Sequence, residues 1–167
     1  MGISLGRKLD NSLRDLLRHR KDFLLNHWYQ RMLDEYAGGT ASFLRGQTDR
    51  FANPVAFALK AAAEAIYQAL INDRDVDRGA LEYAIKIKAV QEDDPSKAVA
   101  FILLLKETVR DVLGNSVSQD KLADFNARID QIAFVASEMF ILNRAKIAEI
   151  AGRGASRRAS TPVIGEI

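Results

Sequence analysis

The chain has no cysteine, three prolines and two histidines in 167 residues. Without thiols it forms no disulfide, holds no thiolate-ligated metal and offers no cysteine nucleophile; its redox compartment stays open. The scarcity of proline removes the commonest helix breaker. Long apolar runs are missing too. No uncharged stretch reaches the roughly 18 apolar residues of a membrane span. Gly6, Lys8 and Asp10 interrupt the amino terminus before the apolar core of a signal peptide can form. A large charge of one sign is also absent. The net charge is +2, and Arg153, Arg157 and Arg158 against Glu166 account for all of it, so residues 1–151 are neutral. A neutral body is not the electrostatic footprint of a nucleic-acid binder. The expectation is a cytoplasmic protein without nucleic-acid binding or membrane insertion.

What is present favours helix. Hydrophobic residues make up 48% and charged residues 28%, which suits one soluble domain long enough to bury a core. Apolar residues recur three and four apart in five segments. The first runs from Asp10 to Tyr36 through Leu13, Leu17, Leu24, Trp28 and Met32. The second opens at Pro54 and ends at Asn72-Asp73. The third spans Asp77 to Gln91, and the fourth Pro95 to Leu113. The fifth follows Ser118 and reaches about Ala151. The fold class is therefore all-α, a single domain of five to six helices with a long C-terminal helix. Residues 1–9 are expected to be a flexible N-terminus, 10–151 the helical domain, and 152–167 a disordered basic tail.

The fifth segment carries the stripe Phe125, Ile129, Ile132, Met139 and Asn143, with Phe134, Ile141 and Leu142 off it. These five stripe residues are the expected dimer interface; the alternative is a helix wedged between neighbours of its own domain.

Chemistry-bearing patterns are few. His19 and His27 stand eight apart, roughly 80° around a helix and 12 Å along it, so they do not chelate one ion. No Gly-x-Ser-x-Gly turn and no phosphate-cradling Gly-rich loop occurs. Asp73, Asp75 and Asp77 suggest a calcium loop, but its sixth and twelfth positions are Arg78 and Ala84 rather than Gly and Glu. In Glu92-Asp93-Asp94, Asp94 reads as a helix cap. Arg157-Arg158-Ala159-Ser160 fits a basophilic kinase pattern of a kind that recurs by chance. No catalytic residue, metal site or cofactor is expected.

Two polar stretches remain, each opening an apolar helix: Arg50-Phe51-Ala52-Asn53-Pro54, and Lys88-Ala89-Val90-Gln91 with Pro95-Ser96. Asn or Asp before Pro explains the helix starts. It does not explain Arg50, Lys88 or Gln91. Arg50, Asn53, Lys88, Gln91 and Ser96 are the candidate ligand- or partner-binding site. Helix N-termini at Asn53 and Ser96 would receive an anion, with Arg50 and Lys88 as countercharges.

In these stretches, in Phe101 to Lys106, in Asp130-Gln131-x-Ala133 and in Arg144 to Ile150, the chain resembles the amino-terminal sensor domain of RsbR-type stressosome proteins, of the RsbRD branch. The resemblance covers roughly residues 10–150. It implies an all-helical, globin-like sensor domain that dimerises, does no chemistry and acts through a protein partner or small ligand. In that family the domain usually precedes a phosphorylated STAS domain, and no such α/β pattern follows here. Met1 and the ragged tail favour a complete small protein over a fragment. Haem is not expected, since no histidine follows His27. The alternative function is an assembly or structural adaptor of a larger complex.

Overall fold

The computed structural model describes residues 2–35 and 53–160. Among them are six α-helices: α1 (Asn11–His19), α2 (Lys21–Asp34), α3 (Pro54–Asn72), α4 (Arg78–Gln91), α5 (Pro95–Leu113) and α6 (Gln119–Ala159). The fold is all-α. Five of the helices close a ring: α2 packs on α3 and α5, α3 on α4, α4 on α6, and α6 on α5, while α1 lies on α3. The apolar stripes turn into the middle of this ring, where Trp28, Tyr67, Phe125 and a set of Leu and Ile side chains are fully buried.

Local chemistry sets the helix starts. Asp10, Asn53, Asp77 and Asp94 each accept a backbone N–H of the first turn of the helix they cap. Pro54 and Pro95 follow two of these caps. α3 is long and apolar enough to cross a membrane by length and composition, but ten of its residues lie in the core, and its alanines let neighbours come close.

Three expectations change. The first segment is two helices, with Arg20 (φ −98°, ψ 13°) at the junction. No Gly or Pro marks the break. The carbonyl of Leu17, in the last turn of α1, accepts the buried Tyr67 hydroxyl at 2.7 Å, so packing against α3 supplies a partner that the helix end lacks.

The N-terminus is packed rather than flexible. Ile3 and Val76 exchange backbone hydrogen bonds at 3.3 and 3.2 Å, and Ile3, Leu5 and Leu9 are buried. Their alternation puts apolar side chains on one side of an extended strap, and Gly6 takes a left-handed turn within it (φ +66°).

Finally, helix continues past Ala151 to Ala159, so residues 152–159 are not a disordered tail. Ala, Arg and the Glu149–Arg153 ion pair favour helix there enough to carry Gly152 and Gly154. Residues 161–167 lie outside the described residues.

The expected dimer stripe is accounted for within one chain. Phe125, Ile129, Ile132 and Met139 sit in the chain's own core. Asn143 is half-buried, and its Nδ2 donates to the Met139 carbonyl at 2.8 Å. Both α4 and α5 pack along α6, so that face has its neighbours already.

Candidate functional site

Of the five expected site residues, Arg50 lies outside the described residues and the others do not converge. Asn53 is buried, and its Oδ1 accepts from the Ala56 N–H at 3.0 Å. The Ser96 N–H donates to Asp94 Oδ1 at 2.8 Å, and that bond holds the Asp94 carboxyl below the ordinary carboxylate range. Each N-terminus thus gives a first-turn N–H to its own cap. Gln91 and Ser96 are exposed.

Lys88 is different. It is only 8% exposed, on the inner side of α4, in a cleft of ≈ 260 Å³. The wall is made by Met32 and Glu35 at the end of α2, Leu59 of α3, and Lys97 and Phe101 of α5. The Phe101 carbonyl accepts the buried Trp28 indole N–H at 2.7 Å, which holds the α2 and α5 walls together. Burial pushes the Lys88 ammonium down from its usual value, and Glu92 and Glu35 pull it partly back. Lys88 Nζ lies 4.0 Å from Glu92 Oε1. Glu35, Glu92 and Lys97 were not among the expected site residues. Glu92 follows Lys88 by one helical turn, a spacing visible in the sequence; Glu35 comes from another helix and gave no such signal.

The cleft communicates with α6 through one turn. The Ala89 carbonyl, next to Lys88, accepts from Arg144 Nη1 at 3.1 Å, while Arg144 Nη2 meets Asp93 Oδ1 at 3.2 Å. The Glu92–Asp94 turn is thereby clamped to the point where α6 leaves the bundle. From Ala145 to Ser160 every residue is exposed, so the last turns of α6 form a projecting arm.

A second ionic group lies at the opposite end of α4. Asp73 closes α3 in the left-handed conformation (φ +53°). Arg128, 5% exposed on α6, donates through Nη2 to Asp73 Oδ1 at 3.1 Å and through Nε to the Leu5 carbonyl at 3.3 Å. Lys8 and Arg14 approach Asp73 Oδ2 at 3.3 and 3.7 Å. Burial alone would raise the Asp73 carboxyl; hydrogen bonds from Arg128 and Lys8 outweigh it and leave the group lowered. Asp73 is therefore a partly buried anchor rather than part of a solvated turn, and it ties the N-terminal strap to α3 and α6.

His19 and His27 are exposed, and His27 stacks on Phe23 at 5.3 Å. Among the described residues no group of three or more His, Asp or Glu side chains is placed to hold a metal ion. A larger trough of ≈ 550 Å³ beside α3 is open to solvent and lined by alanines with surface polar groups; it gathers no buried charge.

Comparison with known proteins gives no matching family model, no matching curated protein and no matching solved structure.

Proposed function

We propose that the chain is a non-catalytic regulatory module of the sensor type, in which a small anionic solute in the Lys88 cleft biases the α6 arm toward or away from a protein partner. The observation that carries this reading is the pairing of a buried lysine in a cleft with the Arg144 clamp one residue further along. A buried ammonium is costly to desolvate, and Lys88 shares its cleft with the carboxylates of Glu35 and Glu92. The cleft lies just below the roughly 300–1,000 Å³ range of small-molecule sites, which suits an anion of a few atoms. The resemblance to RsbR-type sensor domains favours the same class, a cytoplasmic, globin-like signalling domain without haem. A ligand acts in this way only through unequal affinity for two states, and the Ala89–Arg144 and Asp93–Arg144 bonds are the contacts that such states would exchange.

The test is calorimetric titration with inorganic phosphate and with acetate, repeated on Lys88→Met. Saturable binding of either anion is expected, with at least about tenfold weaker binding in a variant that still folds. If neither anion binds the parent protein, the cleft is not an anion site.

A second reading, an adaptor subunit of a larger assembly, is favoured by the arm itself. Past Arg144 every described residue of the helix is exposed, and such an element is available for contact with another chain.

A further inference from the structure

We infer that the Asp73 cluster is completed by a small monovalent anion of chloride's kind, held at Arg128 between the N-terminal strap and α6. The site lies at the far end of α4 from Lys88 and stands independently of the sensor reading.

The first observation is a charge that its surroundings leave unbalanced. Among the described residues, Lys8, Arg14 and Arg128 pair with no carboxylate other than Asp73. The neighbouring acids of the strap and of α6 are engaged elsewhere, Asp124 with Arg7 at 3.8 Å and Asp10 with Lys121 at 3.1 Å. The Lys8 side chain is 83% exposed and keeps its water. Those of Arg14 and Arg128 are 20% and 6% exposed. The sheltered part of the cluster is therefore two guanidinium groups on one carboxylate, with one positive charge in excess. A buried lysine can relieve such an excess by losing its proton, but a guanidinium does not deprotonate. Its lost hydration has to be replaced by a partner.

The second observation is a pair of unmatched donors within that part. Arg128 gives Nη2 to Asp73 and Nε to the Leu5 carbonyl, and Arg14 gives Nη2 to Asn11 Oδ1. Arg128 Nη1 and Arg14 Nε are also buried, and neither has a hydrogen-bond acceptor among the described residues. Buried donors without acceptors are rare and costly, the more so when they carry charge.

The third observation is room beside Arg128. It lines a cleft of ≈ 230 Å³ whose walls include Leu5, Gly6 and Arg7 of the strap and Asp124 and Gln131 of α6. Arg7 and Asp124 face each other as a pair, and the Gln131 amide donates to the Ser4 carbonyl at 2.8 Å. The group on this wall that still asks for an acceptor is the Arg128 guanidinium. An ion entering so sheltered a place sheds most of its water, at a cost that rises with the square of its charge. A halide meets that cost more easily than a divalent oxyanion, and one negative charge is what the excess requires. Bound there, the ion would fasten the strap to α6 through the same arginine that holds the Leu5 carbonyl.

Thermal melting at constant ionic strength, with chloride replacing gluconate, tests the proposal. The melting temperature of the parent protein is expected to rise and to saturate with chloride, as binding to the folded state requires. Arg14→Met keeps an unbranched stem and a good helix former, and it is expected to raise the half-saturating chloride concentration at least about tenfold. Lys88→Met is expected to leave the chloride effect unchanged, so this site and the Lys88 cleft stand or fall separately. A crystal of the parent protein grown in bromide is expected to show an anomalous peak at hydrogen-bond distance from Arg128 Nη1. Saturation and the bromide peak are both read on the parent protein, so the proposal stays open to refutation even where Arg14→Met does not fold. A rise that does not saturate, or is equal in parent and Arg14→Met, overturns it. A water in place of bromide overturns it too, as does a bromide peak without a saturable chloride effect, which marks an adventitious ion only. Loss of the effect in Lys88→Met with retention in Arg14→Met would place the anion in the Lys88 cleft and overturn this site alone.

Discussion

Two charges, Lys88 and Arg128, are buried. Lys88 shares a cleft with Glu35 and Glu92, and Arg128 donates to the Asp73 carboxylate and to the Leu5 carbonyl. Asp73 is the residue on which the Arg128 cluster depends. Asp73→Asn keeps a side chain that tolerates the left-handed backbone and removes only the charge. It is expected to destabilise the fold by about 3 kcal/mol, the usual loss when one member of a buried pair is removed, measured by chemical denaturation. The pH dependence follows from the lowered carboxyl. Its contribution is fully present above the ordinary Asp value of about 3.9 and is lost as pH falls through the lower folded value. The acid limb of stability below about pH 4 should therefore be shallower in Asp73→Asn than in the parent. An unchanged limb would mean that Asp73 is not the group that titrates. None of this was legible in the Asp73-Asp75-Asp77 spacing, which looks like a solvated turn because Arg128 lies 55 positions away in the chain.

Helices are the level at which sequence and structure agree best, and the agreement has local causes. Caps and prolines set the starts of α3 and α5 from within four residues, so both starts could be read directly. Asn53→Ala tests that account: it is expected to cost about 1 kcal/mol through the lost bond to Ala56, read as a lower denaturation midpoint. A cost near zero would place the start of α3 under the control of Pro54 and packing instead. The break at Arg20 has no local cause, since a hydroxyl from α3 and not a breaker residue marks it; periodicity alone runs straight through. The end of α6 misled in the opposite sense. Glycine and serine after Ala151 look like a stop, yet the surrounding alanines and arginines keep the helix going. The dimer stripe was misread for a related reason: one helix has two apolar faces, and periodicity does not say which of them its own bundle covers. Phe134, Ile141 and Leu142, set aside as off the stripe, are all exposed. The candidate site was legible only as Lys88, because the cleft is walled by four helices and its acids come from two of them.

At the scale of the whole molecule, a ring of helices needs something to fix its two ends against each other. The Arg144 clamp holds α4 to α6 at the end where the arm departs. At the other end the N-terminal strap does the equivalent work. It pairs with Val76 in the α3–α4 turn, gives its Leu5 carbonyl to Arg128 and its Ser4 carbonyl to Gln131 of α6, and buries Leu5 beneath the contact. Leu5→Ala distinguishes a strap that belongs to the core from one that merely lies on it. A buried leucine truncated to alanine costs about 2–5 kcal/mol through lost burial and the cavity left behind, whereas a substitution in a loose terminus stays within about 0.5 kcal/mol. The strap has few other apolar anchors, so relaxation around the cavity should place the loss toward the lower end, near 2 kcal/mol, or about 4–8 °C in melting temperature for a domain of this size. Hydrogen exchange supplies the second reading of the same variant. The Ile3 and Val76 amides, which bond to each other's carbonyls, should lose protection together, while amides in the middle of α5 keep theirs. Loss confined to Ile3, with Val76 still protected, would show that the α3–α4 turn holds its place without the strap and that the anchor is Asp73 alone.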